Sequence, residues 1–350
     1  MRLLAVATAF IVASSMAKAE EPRAQMRELG MRLLPPPAGA SEQMRELIAE
    51  FPSAARAPSK VGIPQTKEEW SEWAEKNNAR AAAGALSSAK EFGVTIKQET
   101  IAGVEVYRLQ PPAIDPAHKN HLFVFLHGGA YVLGAKEAGL GEAILVATQC
   151  KIPVLSIDYR MPPNHPAPVA IEDVAGVWQA LLKEHASTSM AMGGSSSGGG
   201  LVLAALHYFK EHKIGLPGAL YIGTPAVDVD KTGDSRYINE GADRLLASWD
   251  GVVQEAFSLY AGKYDHKHPY VSPIYGDFRG FPPSYLISGT RDLLLSDTVR
   301  THQKMRTANV EADLHIYEGL SHREYTMVTD APEFERHFGE LNRFLLRFLH

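Results

Sequence analysis

The run Ala191-Met-Gly-Gly-Ser-Ser-Ser-Gly-Gly-Gly200 constrains this chain more than any other segment. It holds one G-x-S-x-G frame, Gly194-Ser195-Ser196-Ser197-Gly198. The residues before it read as a strand, and the apolar run 201–209 after it reads as a helix. A serine on so sharp a strand-to-helix turn projects its hydroxyl outward. The residues two before and two after it must be small, because the turn brings them against neighbouring backbone. Centring the frame on Ser195 or Ser197 fails, since each would need glycine where the sequence has serine. Only Ser196 fits as a nucleophile. A flexible Gly/Ser linker would not be flanked by apolar segments on both sides.

A nucleophilic serine needs a base, a carboxylate to orient that base, and donors for the developing oxyanion. The apolar run 121–126 reads as a buried strand. It ends in His127-Gly128-Gly129-Ala130, where glycines let backbone N–H groups approach a substrate. This order resembles the H-G-G-G loop of lipases and esterases. It assigns Gly128 and Gly129 as oxyanion donors, with Ser197 as the third.

The base must come from 14 histidines. His207, His212, His302 and His337 lie in helix-like segments, and His315 is inside a strand pattern. His322 follows the strand expected at 312–317 and the turn Glu318-Gly-Leu-Ser321. Asp292 follows the strand expected at 284–289 and is assigned to orient His322. Its competing reading is a cap for the helix after it. Asp297 is the rival carboxylate and is expected to cap the helix 298–309. The order Ser196, Asp292, His322 is that of the α/β-hydrolases rather than of chymotrypsin or subtilisin.

From about residue 94 to the C-terminus the chain resembles the hormone-sensitive-lipase-like α/β-hydrolases, the bacterial family IV esterases. The motifs are His127-Gly-Gly-Ala, Asp158-Tyr-Arg-Met-Pro-Pro-Asn-His-Pro-Ala-Pro168, Gly194-Ser-Ser-Ser-Gly-Gly199, Asp292-Leu-Leu-Leu and Gly319-Leu-Ser-His322. Val271-Ser-Pro-Ile-Tyr-Gly-Asp-Phe278 resembles the acetyl esterase and monoterpene ε-lactone hydrolase branch. The resemblance implies an α/β-hydrolase fold: a mostly parallel central sheet, helices on both faces, and a helical cap. It places the cap in residues 20–93 and an insertion at about 229–263, with 94–350 as the catalytic domain. It makes Ala130, Tyr131 and Trp249 candidate walls of the substrate pocket, with Phe257 and Tyr260 beside them. Three positions depart from the family pattern. Ser195 stands where an acid usually precedes the nucleophile. Ala130 replaces a glycine. Arg323 replaces the glycine after the histidine and is expected to be a solvated rim residue.

Alternating strand and helix patterns after residue 94 agree with that architecture. The N-terminus reads Met1-Arg2, an apolar stretch 3–13, then Ala17-Lys-Ala19. That is the pattern of a secretory signal cleaved after Ala19. It leads to a secreted or periplasmic product with no stable membrane anchor. Cleavage removes Arg2 and Lys18 from 35 basic residues against 40 acidic ones, so no basic patch for nucleic acid results. The single cysteine, Cys150, excludes an internal disulfide and is expected to be a buried hydrophobe. Asp265-His-Lys-His268 lacks the remaining ligands of a metal site. Within 20–93, helical patches are expected at 24–34, 41–51 and 68–83.

The expected activity is hydrolysis of short-chain acyl esters by a serine carboxylesterase through an acyl-enzyme. Its partner is a small-molecule ester or lactone, and no metal or organic cofactor is implied. The alternatives are a lactonase using the same triad and a non-catalytic ligand-binding protein of the same fold. A homodimer is the one self-association allowed for.

Overall fold

The computed structural model describes residues 33–50 and 62–350. The expected leader at 1–19 and nearly all of the helix expected at 24–34 lie outside the described residues. Eight strands form one sheet: β1 (Thr95–Ile101), β2 (Val104–Gln110), β3 (Leu122–Leu126), β4 (Val154–Ile157), β5 (Met190–Ser195), β6 (Ala219–Gly223), β7 (Ser284–Gly289) and β8 (Ala312–Tyr317). Their order across the sheet is β1-β2-β4-β3-β5-β6-β7-β8. The pairings β1–β2 and β2–β4 are antiparallel, and every other pairing is parallel.

The sheet's two faces follow the period-2 alternation of strand side chains. Leu122, Val124, Leu126, Leu220 and Ile222 point to one face, against α4 (Val169–Leu181) and α5 (Ser197–Glu211). Phe123, Phe125, Ala191, Tyr221 and Tyr285 point to the other. There they meet α3 (Gly141–Gln149) and α9 (Pro332–Phe348) through Ile144, Phe338 and Leu341. Burial on both faces is why the central strands read as continuous apolar runs rather than alternating ones.

The N-terminal helices are α1 (Glu42–Glu50) and α2 (Lys67–Phe92). Thr66 and Glu69 form a reciprocal capping box at the start of α2, and Gly93 ends it in a left-handed conformation, φ 68°. The sequence expectation stopped this helix at 83, before Gly84. A Cβ at Gly84 would meet nothing within 4 Å. The helix therefore tolerates that glycine and stops only where a left-handed residue is required. Trp70 and Trp73 of α2 pack with Val252, Ala256 and Leu259 of α7 (Val252–Ala261). The remaining helices are α6 (Ser235–Ile238) and α8 (Leu295–Thr307). No helix among the described residues is long and apolar enough to cross a membrane.

Candidate active site

Five adjacent parallel strands, β3, β5, β6, β7 and β8, end along one edge of the sheet. The segments leaving them carry Gly128 and Gly129, Ser196, Thr224, Asp292 and His322, in that order. Open parallel sheets present ligand sites at the carboxyl ends of their strands. Residues up to 194 positions apart thus meet because their strands are neighbours.

Ser196 sits between β5 and α5 at φ 60°, ψ −129°, outside the ordinary regions for a side chain of its kind. Its N–H donates to Gly223 O at 2.9 Å, and its carbonyl accepts from Ala226 N at 3.0 Å. The sizes demanded around it are visible. A Cβ on Gly194 or Gly198 would lie 2.1 Å from the Leu126 carbonyl oxygen. A Cβ on Gly128 would lie 3.2 Å from the Ser196 Cβ. The oxyanion loop and the elbow are therefore in direct backbone contact.

The N–H groups of Gly128, Gly129 and Ser197 donate to no protein acceptor among the described residues. Three backbone donors beside one serine hydroxyl are the arrangement that stabilises a tetrahedral oxyanion. Gly129 adopts φ 119°, and a side chain there would strike Leu133. Ala130 and Tyr131 continue in left-handed conformations, φ 52° and 63°. Ala130 thus holds the conformation that the missing third glycine would adopt freely.

His322 and Asp292 are buried and meet at 3.2 Å between Nδ1 and Oδ1. Ser288 Oγ donates to Asp292 Oδ2 at 2.8 Å, Leu294 N donates to Oδ1 at 2.8 Å, and Thr224 Oγ1 also donates to Oδ2. The β7 and β8 loops are laced together. Gly319 N donates to Thr290 Oγ1 at 2.7 Å, and Arg291 N donates to Leu320 O at 3.0 Å. These bonds fix the relative position of the carboxylate and the imidazole.

His127 is a different kind of histidine. Its ring is buried, stacked on Tyr159 at 4.2 Å, and held to Gly128 O at 2.8 Å. Burial lowers its pKa to about 4, so it stays neutral and structural at ordinary pH.

A cavity of about 220 Å³ contains both Ser196 and His322. Its walls include Trp73, Ala130, Leu133, Leu246, Trp249, Val253 and Phe257. A larger groove of about 720 Å³ runs past α2 and residues 158–164 but reaches neither Ser196 nor His322. The smaller cavity is the one that Ser196 and His322 line together. Tyr131 does not line it. Its ring is buried, stacked on Tyr260 at 3.6 Å and edge-on to the lining residue Phe257 at 5.5 Å.

Two other expectations need correction. Asp297 lies within the first turn of α8, and the capping position is Leu294. Asp297 instead accepts from Arg236 Nη2 at 2.6 Å and from Val227 N at 3.0 Å, with both charged side chains fully buried. The Arg236 guanidinium lies 3.6 Å from the centre of the Trp249 ring. The pair therefore holds a pocket wall in place. Arg323 is not a freely solvated rim residue. Its Nε lies 3.3 Å from Glu142 Oε2, and it reaches the edge of the pocket.

Sequence reasoning missed four residues around the site: Glu142, Thr224, Asn239 and Asp243. Asn239 Nδ2 donates to Asp292 O at 2.8 Å. Asp243 accepts Leu293 N at 2.9 Å beside Asp292. Burial, and then the Asp292 charge, push the Asp243 pKa up. Asp243, Asp292 and His322 form the one group among the described residues close enough to share a cation. Asp243 also accepts from Leu245 N and Leu246 N, so every oxygen of both carboxylates already takes a protein hydrogen. That donor set suits a hydrogen-bonded network rather than a metal. His266, in the H-x-H segment, pairs with Asp230 at 2.8 Å.

Comparison with known proteins identifies the fold and family. Residues 123–326 match the family described as alpha/beta hydrolase fold. The crystal structure of an esterase, E25, aligns with a TM-score of 0.91 at 46% identity, covering 93% of this chain and 99% of that one. A hormone-sensitive lipase from a metagenome library aligns with a TM-score of 0.70 at 25% identity, covering 82% of this chain and all of that one. An esterase of Acinetobacter venetianus is 27% identical over 253 residues, 72% of this chain and 82% of that protein. With an eight-stranded, mostly parallel sheet and this family match, the chain belongs to the hormone-sensitive-lipase-like α/β-hydrolases and is a carboxylic ester hydrolase.

Proposed function

We propose that this enzyme hydrolyses short-chain acyl esters through an acyl-enzyme on Ser196. Ser196 Oγ attacks the ester carbonyl while His322 Nε2 accepts its proton. Asp292 holds the ring through Nδ1 and stabilises the imidazolium that forms. The N–H groups of Gly128, Gly129 and Ser197 receive the oxyanion. His322 then returns the proton to the leaving alcohol. Water, activated by the same histidine, releases the acid and restores the serine.

The observation that carries this reading is the shared cavity. One mostly apolar cavity of about 220 Å³ brings Ser196 and His322 together beside three unused backbone donors. Its size suits a small acyl group. Rates on p-nitrophenyl esters from acetate to laurate test it. The expected order is acetate to hexanoate above laurate. A preference for laurate, or for a lactone over every open ester, would overturn the substrate class.

We also infer export, from the basic start, the short apolar run and Ala17-Lys-Ala19. Sequencing the mature protein from the periplasm or medium should give Glu20 as its first residue. A product that keeps residues 1–19 would overturn this.

A further inference from the structure

The two departures that flank the reacting groups, Ser195 and Arg323, face the same carboxylate. Glu142, in the first turn of α3, is only 4% exposed. Its Oε1 accepts the Ser195 hydroxyl at 2.5 Å and the Tyr221 hydroxyl at 2.8 Å. Its Oε2 lies 3.3 Å from Arg323 Nε. Ser195 immediately precedes Ser196, and Arg323 immediately follows His322. One buried carboxylate therefore stands one residue away from each end of the proton transfer.

We propose that Glu142 is a positioning residue for ester hydrolysis. Its carboxylate fixes the nucleophile through Ser195 and the base through Arg323. It thereby supplies from α3 the acid that the resembled pattern carries at position 195. This rests on the assignment of Ser196 and His322 as nucleophile and base.

Three observations carry it. A buried carboxylate must be paired or neutralised, and Arg323 is the one cation within 4 Å of Glu142 among the described residues. The other titratable groups packed around it are neutral. Burial raises the pKa of the Tyr221 and Tyr325 hydroxyls, and it lowers His337, behind Tyr221, to about 3. His127, which lines the same small cavity of about 180 Å³ as Glu142 and Arg323, is neutral for the same reason. Finally, Arg323 is held at φ 60°, a conformation uncommon for a side chain of this kind. Its carbonyl accepts from Thr326 N at 3.0 Å and from Thr326 Oγ1 at 2.8 Å, which fixes the backbone while Nε lies beside Glu142.

The test is a double-mutant cycle on p-nitrophenyl acetate with Glu142→Gln, Arg323→Gly and the double variant. Glutamine keeps an acceptor for Ser195 and Tyr221 but removes the charge. Glycine relieves the left-handed backbone at 323 but leaves Glu142 without its cation, so melting curves accompany the kinetics and kcat is compared per folded molecule. Each single change should lower kcat about tenfold with KM within about twofold, and the double variant should be no worse than the poorer single one. Folded Arg323→Gly with wild-type kcat would overturn the proposal, as would losses that multiply in the double variant. Should Glu142→Gln not fold, Arg323→Gly and Arg323→Met carry the test, because that side chain is 32% exposed. Labelling of the wild type by a fluorophosphonate separates the two readings. A label on Ser196 with kcat indifferent to Arg323 removes the role of Glu142 alone. A label elsewhere removes the assignment beneath it.

Discussion

Thr224 donates its hydroxyl hydrogen to the Asp292 carboxylate from the loop of the neighbouring strand. The same oxygen lies 3.1 Å from His322 Nδ1. The imidazole N–H therefore faces two acceptors, Asp292 Oδ1 and Thr224 Oγ1. The threonine hydroxyl thus bridges the Asp292 carboxylate and the His322 ring. Thr224→Val conserves the shape and removes the hydroxyl. It should lower kcat about tenfold while KM changes little, as for an interaction that matters in the transition state alone. Steady-state kinetics on p-nitrophenyl acetate would show this. An unchanged kcat would make Thr224 a packing residue.

Ser196→Ala should leave a folded protein whose turnover is down by roughly 10⁴-fold or more. The free N–H groups of Gly128, Gly129 and Ser197 would account for any residual rate. A fluorophosphonate should label the wild type once, and peptide mass spectrometry should find the label on Ser196. A label on Ser195 would contradict the geometry, because that hydroxyl is buried against Glu142.

Asp292→Asn and Asp297→Asn should fail in different ways. The first removes the charge facing the imidazole and favours the wrong tautomer, so kcat should fall by about 10³- to 10⁴-fold in a protein that still folds. The second leaves Arg236 buried without its counter-ion. That should cost roughly 3 kcal/mol of stability or more and little of the activity per folded molecule. Melting curves run alongside the kinetics separate the two. Comparable losses of kcat in two equally stable variants would refute the distinction.

Asp158 supplies a pH signature. Its carboxylate accepts Lys136 N at 2.9 Å, and burial raises its pKa to about 6. An unfolded aspartate titrates near 3.9. Between about pH 4 and 6 the unfolded chain has lost this proton and the folded chain keeps it. Stability from this group is therefore present at low pH and lost as pH rises through about 6, by roughly 2–3 kcal/mol. Asp158→Asn keeps the acceptor without the charge. Relative to wild type it should gain stability between pH 4 and 7 and show no further gain above. Melting temperatures of both proteins at pH 4.5 and 7.5 would reveal it. A difference that does not change with pH would mean that the carboxylate is ionised throughout.

How much of this was legible beforehand depends on the range of the forces involved. Strands β7 and β8 begin and end where the sequence places them, because short apolar runs bounded by turn residues need only local patterning. Ser196 stands out for the same reason. The glycines at 194 and 198 flank it within two residues, although the atom they make room for, the Leu126 carbonyl oxygen, belongs to β3. The order of serine, acid and histidine along the chain is that of one fold class, the α/β-hydrolases.

Spatial order across the sheet is another matter. That β6 lies between β5 and β7 is what puts Thr224 beside Asp292, and no local feature of Gly223-Thr224-Pro225 announces it. Asp297 reads as a helix cap because it begins a helical pattern. It becomes half of a buried ion pair because Arg236, 61 residues away, packs against it. Glu142 looks like any acid in a first helical turn until α3 folds onto the sheet and meets Ser195 and Arg323. The sequence by itself determined the residues whose roles follow from their own backbone: the elbow, the glycine loop, and the strand ends that carry acid and base. Only the tertiary structure decided how charge is paired around them. The partners of a buried charge are set by packing between distant segments, and a linear pattern carries no record of that distance.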